Sequence, residues 1–123
     1  MSKLPLEGMR VVDFTQIQVG PQATLWLAVL GAEVIRIESH RRPDLLRMYA
    51  QLRDSKVEPS LNKSAVFNSL NFGKKSCTLN LTQPRAVELV KELVKISDVV
   101  VENFATGVIE RLGLGYPILK EIN

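Results

Sequence analysis

Residues 9–38 read MRVVDFTQIQVGPQATLWLAVLGAEVIRIE, and this stretch decides the fold. It opens at 9–14 with a short apolar run typical of a strand and closes at 33–38 with the polar–apolar alternation of a second strand. Between them, Pro21 suits the first turn of a helix, and the apolar run 23–30 continues that helix up to a capping glycine. This βαβ unit predicts parallel strands joined by a right-handed crossover. A helix that is apolar all round is expected to be buried.

The rest of the chain continues the alternation of helices and strands. We expect strands at 76–81 and 99–102, and helices at 45–52, 65–70, 86–96 (with Thr82 as N-cap and Pro84 in the first turn), 107–112 and from Pro117 onwards. Residues 54–63 are polar, contain Pro59 and lack periodicity, which predicts a long surface loop. The pattern predicts an α/β fold: a Rossmann-like open parallel sheet with helices on both faces, forming part of a domain.

The composition of the 123 residues is that of a globular protein, with 46% hydrophobic and 24% charged residues. No apolar run is long enough to span a bilayer and the N-terminus lacks the apolar core of a secretory signal, so we expect a cytoplasmic protein without a membrane partner. A single cysteine, Cys77, excludes an internal disulfide and is expected to pack within a strand. The net charge of +3 with only 6% aromatic residues argues against nucleic-acid binding and suits a small anionic ligand better.

The common nucleotide and metal motifs do not occur in the sequence. The loop after the first strand has one glycine where a dinucleotide fingerprint needs three, and GKKS at 73–76 precedes a strand instead of the helix that a phosphate loop requires. One histidine and one cysteine leave no cluster of metal ligands, so no metal site is expected. His40 lies among arginines in a polar turn and is expected to be solvated.

Polar and basic side chains follow three of the predicted strands. They are Gln18 after the first strand, Arg41 and Arg42 after the second, and Asn103, Phe104 and Arg111 after the fourth. Parallel strands place these loops at one edge of the sheet, where open α/β sheets bind ligands. Arginines suit phosphates and an aromatic face suits a purine, so the sequence predicts a nucleotide or anion crevice. An ordinary strand–helix connection with a solvated Arg111 is the alternative, and topology alone places Lys74 and Lys75 at the opposite edge.

Several blocks that occur together, in order, between residues 4 and 122 carry a family resemblance. They are LEGMRVVDF at 6–14, GP at 20–21, LGAEVIRIE at 30–38, NFGKKS at 71–76, DVVVENF at 98–104 and RLG at 111–113. Together they resemble the N-terminal portion of family III CoA-transferases, which include formyl-CoA:oxalate CoA-transferase, carnitine CoA-transferase and α-methylacyl-CoA racemase. The resemblance implies that residues 1–123 are the incomplete CoA-binding part of the large domain of a longer enzyme of acyl-CoA metabolism, usually an interlocked homodimer.

The resemblance also implies roles for residues near the reacting end of coenzyme A. In the transferases an aspartate attacks the acyl-CoA carbonyl, and covalent aspartyl intermediates carry the acyl group while CoA stays bound. By position, Gln18 matches a glutamine near the reacting carbonyl. Ile17 and Val19 match neighbours that line the CoA arm.

For the nucleotide end, the resemblance implies a second set of contacts. Lys74 and Arg111 match a lysine and an arginine on the phosphates, which for Lys74 requires the turn before the third strand to fold back over the crevice. Asn103 and Phe104 match the adenine-side pocket. Ser39 stands where relatives carry a phosphate-binding arginine, so a neighbouring arginine substitutes for it or that contact is absent.

None of the four aspartates, Asp13, Asp44, Asp54 and Asp98, aligns with the nucleophile of the family, and Asp13 and Asp98 are expected to be structural. We therefore expect this chain alone to be inactive in the transfer between a CoA thioester and a small carboxylate. Three hypotheses remain: the CoA-binding part of a transferase or of a racemase, a stand-alone module that binds CoA or a nucleotide, and a self-associating domain. The acyl donor and acceptor stay open.

Overall fold

The structure, a computed structural model, describes residues 3–54, Lys56 and residues 60–123. Its strands are β1 (Arg10–Asp13), β2 (Glu33–Glu38), β3 (Lys75–Thr78) and β4 (Val99–Val101). Its helices are α1 (Val19–Val29), α2 (Tyr49–Arg53), α3 (Ala65–Leu70), α4 (Pro84–Val94), α5 (Val108–Arg111) and α6 (Tyr116–Ile122), with a 3₁₀ turn at Leu45–Met48 before α2. No helix in these ranges is long and apolar enough to cross a membrane.

The strands form one parallel sheet in the order β3-β2-β1-β4, which confirms the predicted α/β class. In the centre of the sheet, Val12 of β1 lies between Ile35 of β2 and Val100 of β4. The chain leaves β1 through α1 to reach β2 on one side, and it returns from β3 through α4 to β4 on the other side. This reversal makes the carboxyl ends of β1 and β4 a topological switch point, where sheets of this kind bind ligands.

The alternation of side chains along the strands divides the core between the two faces of the sheet. On one face Val11, Ala32 and Val34 pack with partly buried residues of α1. On the other face the buried residues are Val12, Phe14, Ile37, Val90, Val94, Ile109 and Leu114, with Cys77 packed against them. Helices therefore lie on both faces, and Cys77 is the strand residue that the sequence predicts.

Two predicted boundaries are wrong because local side chains compete for backbone groups. β3 ends at Thr78, three residues earlier than expected, since Asn80 forms a turn in which its Oδ1 accepts from the backbone N–H (3.2 Å) and the hydroxyl (2.8 Å) of Thr82. The Thr82 hydroxyl donates within this turn, and the N-cap of α4 is Gln83 instead of Thr82. Part of the predicted loop at 54–63, including Pro59, lies outside the described residues.

Helix α1 is not buried on all sides, so that expectation is also wrong. Its buried residues are Gly20, Pro21 and Thr24, whereas Val19 is 81% and Trp26 is 58% exposed. An apolar pattern on every face identifies the helix, but it does not show which face meets the sheet. The outer face of α1 is therefore an exposed apolar surface.

Gly20 marks the close approach between α1 and the loop that follows β1. A Cβ atom at Gly20 would lie 2.4 Å from the Cβ of Thr15, and both residues are buried. Only a glycine fits this position without a shift of the helix or the loop.

We expect Gly20→Ala to lower the free energy of unfolding by about 2 kcal/mol or more, because the added methyl group meets a rigid buried side chain. Gly115→Ala is the matched control, since its Cβ would meet the flexible side chain of Glu110 at 3.1 Å. Urea denaturation followed by circular dichroism measures both variants. Equal losses would contradict the close-approach argument.

Candidate functional site

Hydrogen bonds join the three loops that follow β1, β2 and β4 at the carboxyl edge of the sheet. The backbone N–H of Gln16 donates to Oδ1 of Asn103 (2.8 Å), and Nδ2 of Asn103 donates to the carbonyl of Gln16 (2.9 Å). The backbone N–H of Ile17 donates to Oδ2 of Asp44 in the loop after β2 (2.9 Å). The convergence that parallel topology predicts is thus confirmed.

A crevice of about 320 Å³ opens at this edge, on the face of the sheet covered by α4. Phe104 lies in its wall and packs against Phe14, with ring centroids 6.4 Å apart and planes inclined by 45°. Arg41 and Arg42 line the crevice from the loop after β2. An aromatic platform bordered by cations is suited to a nucleotide with phosphate groups.

The sequence interpretation missed one wall of this crevice, formed by residues 79–82. They follow β3 directly, and the N–H of Leu79 donates to the carbonyl of Glu38 at the end of β2 (2.8 Å). The third strand was expected to continue to residue 81, so residues 79–81 were predicted as strand and Thr82 as the N-cap of the following helix. Because β3 ends at Thr78, the loop that follows it also lies at the carboxyl edge of the sheet, where open α/β sheets bind ligands.

Gln18, Ile17 and Val19 lie together and exposed at the switch point, where the loop after β1 becomes α1. Gln18 is the N-cap residue of α1, but its side-chain amide makes no capping hydrogen bond with the helix. Ile17 adopts a positive φ of 67°, which is unusual for a β-branched residue.

The ammonium group of Lys74 lies inside the protein, under α1. Its side chain is 2% exposed, and Nζ lies within hydrogen-bonding distance of four acceptors: Thr24 Oγ1 (2.7 Å), Pro21 O (2.8 Å), Asn71 Oδ1 (3.1 Å) and Asp13 Oδ2 (3.2 Å). Burial lowers the pKa of Lys74, while the Asp13 carboxylate opposes that change. A contact with phosphate would require the ammonium group to leave these internal acceptors.

The two adjacent lysines therefore form ion pairs at opposite ends of the sheet. Lys75 pairs with Glu33 at the start of β2, as the topology predicts. Lys74 reaches Asp13 at the carboxyl end of β1, so the prediction that its charge lies at the opposite edge is wrong. Its ammonium group lies beneath α1, and the residues that line the crevice do not include it.

The remaining predicted residues are close to the crevice but play different parts in its geometry. The side chain of Asn103 is engaged in joining two loops, as described above. Arg111 is exposed on α5, and its guanidinium lies over Gly107, where a Cβ atom would be 2.9 Å from Nη1. The structure thus brings Phe104 together with Arg41 and Arg42, and it places Arg111 outside the crevice lining. Across the described ranges, no group of three or more His, Cys, Asp or Glu residues could hold a metal ion.

Glu38 connects the loop after β2 to the rest of this edge. Its carboxylate accepts two hydrogen bonds from Arg47 (2.7 and 2.8 Å) and one from the hydroxyl of Ser76 (2.9 Å). Burial raises the pKa of Glu38, but the bonds from Arg47 and Ser76 outweigh burial and hold the pKa below its usual 4.5. Arg47 in turn stacks on Phe67, 3.7 Å from the ring centroid.

We expect Glu38→Gln to lower the free energy of unfolding by about 1–2 kcal/mol at neutral pH, because a bidentate pair with arginine is lost. Since the folded-state pKa is depressed, the contribution of Glu38 is fully present above pH 4.5 and disappears as the pH falls through the lowered value. Urea titrations at neutral pH and at several values below 4.5 measure this. Glu121→Gln on α6 is the control, and a difference that stays constant with pH would refute the assignment.

One known protein family matches almost the whole chain. Residues 6–123 match the family described as CoA-transferase family III. The chain belongs to this family. Formyl-CoA:oxalate CoA-transferase from Streptomyces coelicolor is 44% identical over 123 residues, and succinyl-CoA:glutarate CoA-transferase from Mus musculus is 42% identical over 122 residues.

Two solved structures share the fold over almost the whole chain. A CAIB/BAIF family protein from Brucella suis has a TM-score of 0.85 and 36% identity, over 99% of this chain and 32% of that protein. A hypothetical protein (Rv3272) from Mycobacterium tuberculosis has a TM-score of 0.80 and 39% identity, over 97% of this chain and 31% of that protein. The Streptomyces and mouse matches cover 100% and 98% of this chain but only 28% and 26% of the relatives.

Proposed function

We propose that residues 1–123 form the CoA-binding, N-terminal part of the large domain of an acyl-CoA:carboxylate CoA-transferase. The observation that carries this proposal is the crevice at the switch point, where the Phe14–Phe104 platform lies beside Arg41 and Arg42. Membership of family III supports the class of ligand, since the Streptomyces and mouse relatives are named for reactions of CoA thioesters with dicarboxylates.

In the proposed complex, the nucleotide end of CoA occupies the crevice and the pantetheine arm extends towards α1. The adenine stacks near Phe104, and Arg41 and Arg42 receive the phosphates, with Arg111 as a further cation at the rim. The exposed apolar side chains of Ile17 and Val19 provide a surface for the arm. The two hydrogen bonds between Asn103 and Gln16 hold the loop after β1, which contacts the pantetheine arm, at a fixed distance from the aromatic platform that contacts the adenine.

Gln18 is then the residue that faces the thioester. Its side-chain amide can donate a hydrogen bond to the thioester carbonyl, which would favour the negative charge that develops on that oxygen during acyl transfer. Gln18 supports the reaction in this role and forms no covalent intermediate. Its exposed position at the start of α1 leaves the amide free to reach the ligand.

We further propose that this chain binds the CoA thioester without transferring its acyl group to a carboxylate. Transfer through an acyl-aspartyl intermediate needs an aspartate that can reach the thioester. Asp13 and Asp44 are buried and paired with Lys74 and Arg36, and Asp98 accepts a hydrogen bond from the backbone of Arg10 (2.8 Å). Asp54, the remaining aspartate, accepts from the backbone N–H of Lys56 (2.9 Å).

Replacing both crevice arginines, as Arg41→Gln with Arg42→Gln, should weaken CoA binding about tenfold or more, because charge-assisted bonds to phosphate are lost. Isothermal titration calorimetry with CoA and with pantetheine measures this, and pantetheine binding should change little because it has no phosphate. Lys95→Gln, a charge change outside the crevice lining, is the control. Absence of heat with wild-type protein would refute the CoA proposal.

Two single substitutions test the placement of the nucleotide. Phe104→Leu keeps an apolar contact with Phe14 but removes the aromatic face, and it should weaken CoA binding by about 1 kcal/mol. Arg111→Ala should weaken binding by a similar or smaller amount, about 0.5–1 kcal/mol, because the side chain is exposed to solvent. If neither variant changes the affinity for CoA, the nucleotide lies elsewhere.

The exposed face of α1 favours self-association as a second function of this chain. Ala23, Trp26 and Leu30 follow one another at intervals of three and four residues, which aligns them along one side of the helix. All three are exposed, and α1 contains no charged residue. A second copy of the same uncharged face satisfies the self-complementarity of a twofold interface without burying a charge, so we propose a homodimer through α1.

Trp26→Glu should shift the chain from dimer to monomer, because the interface would then bury two carboxylates without partners. Sedimentation equilibrium over a range of protein concentrations measures the change. Ile96→Glu is the matched control, since Ile96 is similarly exposed (63%) but lies after α4 on the other face of the sheet. A wild-type protein that stays monomeric at all concentrations would refute self-association through α1.

A further inference from the structure

Ile17 occupies a strained conformation at the proposed CoA site. In the described part of the chain it is the one non-glycine residue with a positive φ, at 67°. A β-branched side chain in this region of conformational space is disfavoured, so the surrounding structure must hold it there. The strain falls between β1 and α1, immediately before Gln18.

The carboxylate of Asp44 is the group that holds Ile17. Its Oδ2 accepts both the backbone N–H of Ile17 (2.9 Å) and Nη2 of Arg36 (2.5 Å), while Oδ1 accepts the backbone N–H of Leu46 (2.8 Å). Three separate segments of the chain therefore converge on one carboxylate. The side chains of Asp44 and Arg36 are each only 2% exposed, so solvent does not compete for these bonds.

Arg36 is itself fixed in place, which makes Asp44 a rigid anchor. It extends from the central part of β2, and its Nη1 donates to Oδ1 of Asn71 (2.6 Å). Its guanidinium also lies over the ring of Phe67, 5.1 Å from the centroid. Asp44 and Arg36 thereby fix the position of the Ile17 backbone relative to the sheet.

We propose that Asp44 is a positioning residue for the acyl-CoA site. By holding the Ile17 backbone in the left-handed conformation, it directs the chain into α1 so that Gln18 and Val19 are presented to the ligand. The effect on ligand binding rests on the proposed CoA site. The hydrogen bond from the Ile17 N–H to Asp44, called the clamp below, is present in the chain without any ligand.

The clamp is tested by NMR on the ligand-free 123-residue chain, because a residue with positive φ gives a strong intraresidue NOE between its amide and Hα protons. Wild-type Ile17 should give this strong NOE, and Asp44→Ala, which has no side-chain acceptor, should lose it. Asp98→Ala is the matched control, since Asp98 also accepts a backbone N–H, from Arg10 (2.8 Å), and should leave the Ile17 signal unchanged. A strong NOE that persists in Asp44→Ala would overturn the clamp.

The consequence for ligand binding is tested by a pair of substitutions that leave Asp44 and Arg36 intact, in case Asp44→Ala fails to fold. Ile17→Gly and Ile17→Pro both remove the branched isoleucine side chain, but glycine permits a positive φ whereas the proline ring fixes a negative φ and leaves no N–H. Calorimetry should find CoA affinity about tenfold weaker in Ile17→Pro than in Ile17→Gly, because the arm-binding segment is misplaced. Equal affinities would overturn the positioning role.

These two measurements separate the failure of this inference from the failure of the proposed function. If wild-type protein binds no CoA, the proposed function fails, while the NOE comparison still decides whether Asp44 holds Ile17. If wild-type protein binds CoA and the double variant Asp44→Ala with Ile17→Gly regains part of the affinity lost in Asp44→Ala, the role of Asp44 is to set the backbone conformation. Absence of such recovery would contradict that role.

Discussion

The buried carboxylate of Asp13 is the constraint on which the rest of the structure depends. It lies at the end of the central strand, fully removed from solvent, and accepts hydrogen bonds from the N–H and hydroxyl of Thr15 (2.8 and 2.5 Å) and the hydroxyl of Thr24 (2.6 Å). Lys74 completes the set as the opposite charge at 3.2 Å. A buried charge is tolerated only when it is paired and fully hydrogen-bonded, so these groups must assemble together. That assembly sets the turn after β1, the position of α1 and the entry to β3.

The Asp13 cluster also links the core to the proposed binding edge. Asn71 accepts from Lys74 (3.1 Å) and from Arg36 (2.6 Å), which joins the cluster around Asp13 to the pair formed by Arg36 and Asp44. Asp44 then holds Ile17, and Asn103 holds Gln16 from the other side. Segment 16–19 is therefore held from one side by Asp44, which is buried and paired with Arg36, and from the other side by Asn103. A ligand that binds here meets a preorganised surface, which reduces the entropy lost on binding.

Much of the fold was predictable from the sequence because the relevant signals are local. The alternation at 33–38 identified β2 with its observed limits, and the parallel arrangement followed from the short βαβ unit. Parallel topology then identified the edge where the loops meet, and Phe104, Arg41 and Arg42 indeed line its crevice. The wall at 79–82 was missed because an apolar–polar alternation runs past the true end of β3, where Asn80 turns the chain. Likewise, the apolar composition of α1 identified a helix but not which of its sides would be exposed.

The sequence by itself determined the order of strands and helices, the parallel sheet, the edge at which the loops converge and the family. These properties depend on periodicity and short motifs, which can be recognised within a few residues of sequence. The tertiary structure alone decided which charges are buried and with whom they pair. Lys74 and Lys75 are neighbours of identical chemistry, yet one reaches Asp13 across 61 residues of sequence and the other binds Glu33 on the surface. That difference, like the left-handed turn at Ile17, comes from long-range contacts, because a buried charge takes its partner from whatever the fold brings within hydrogen-bonding distance.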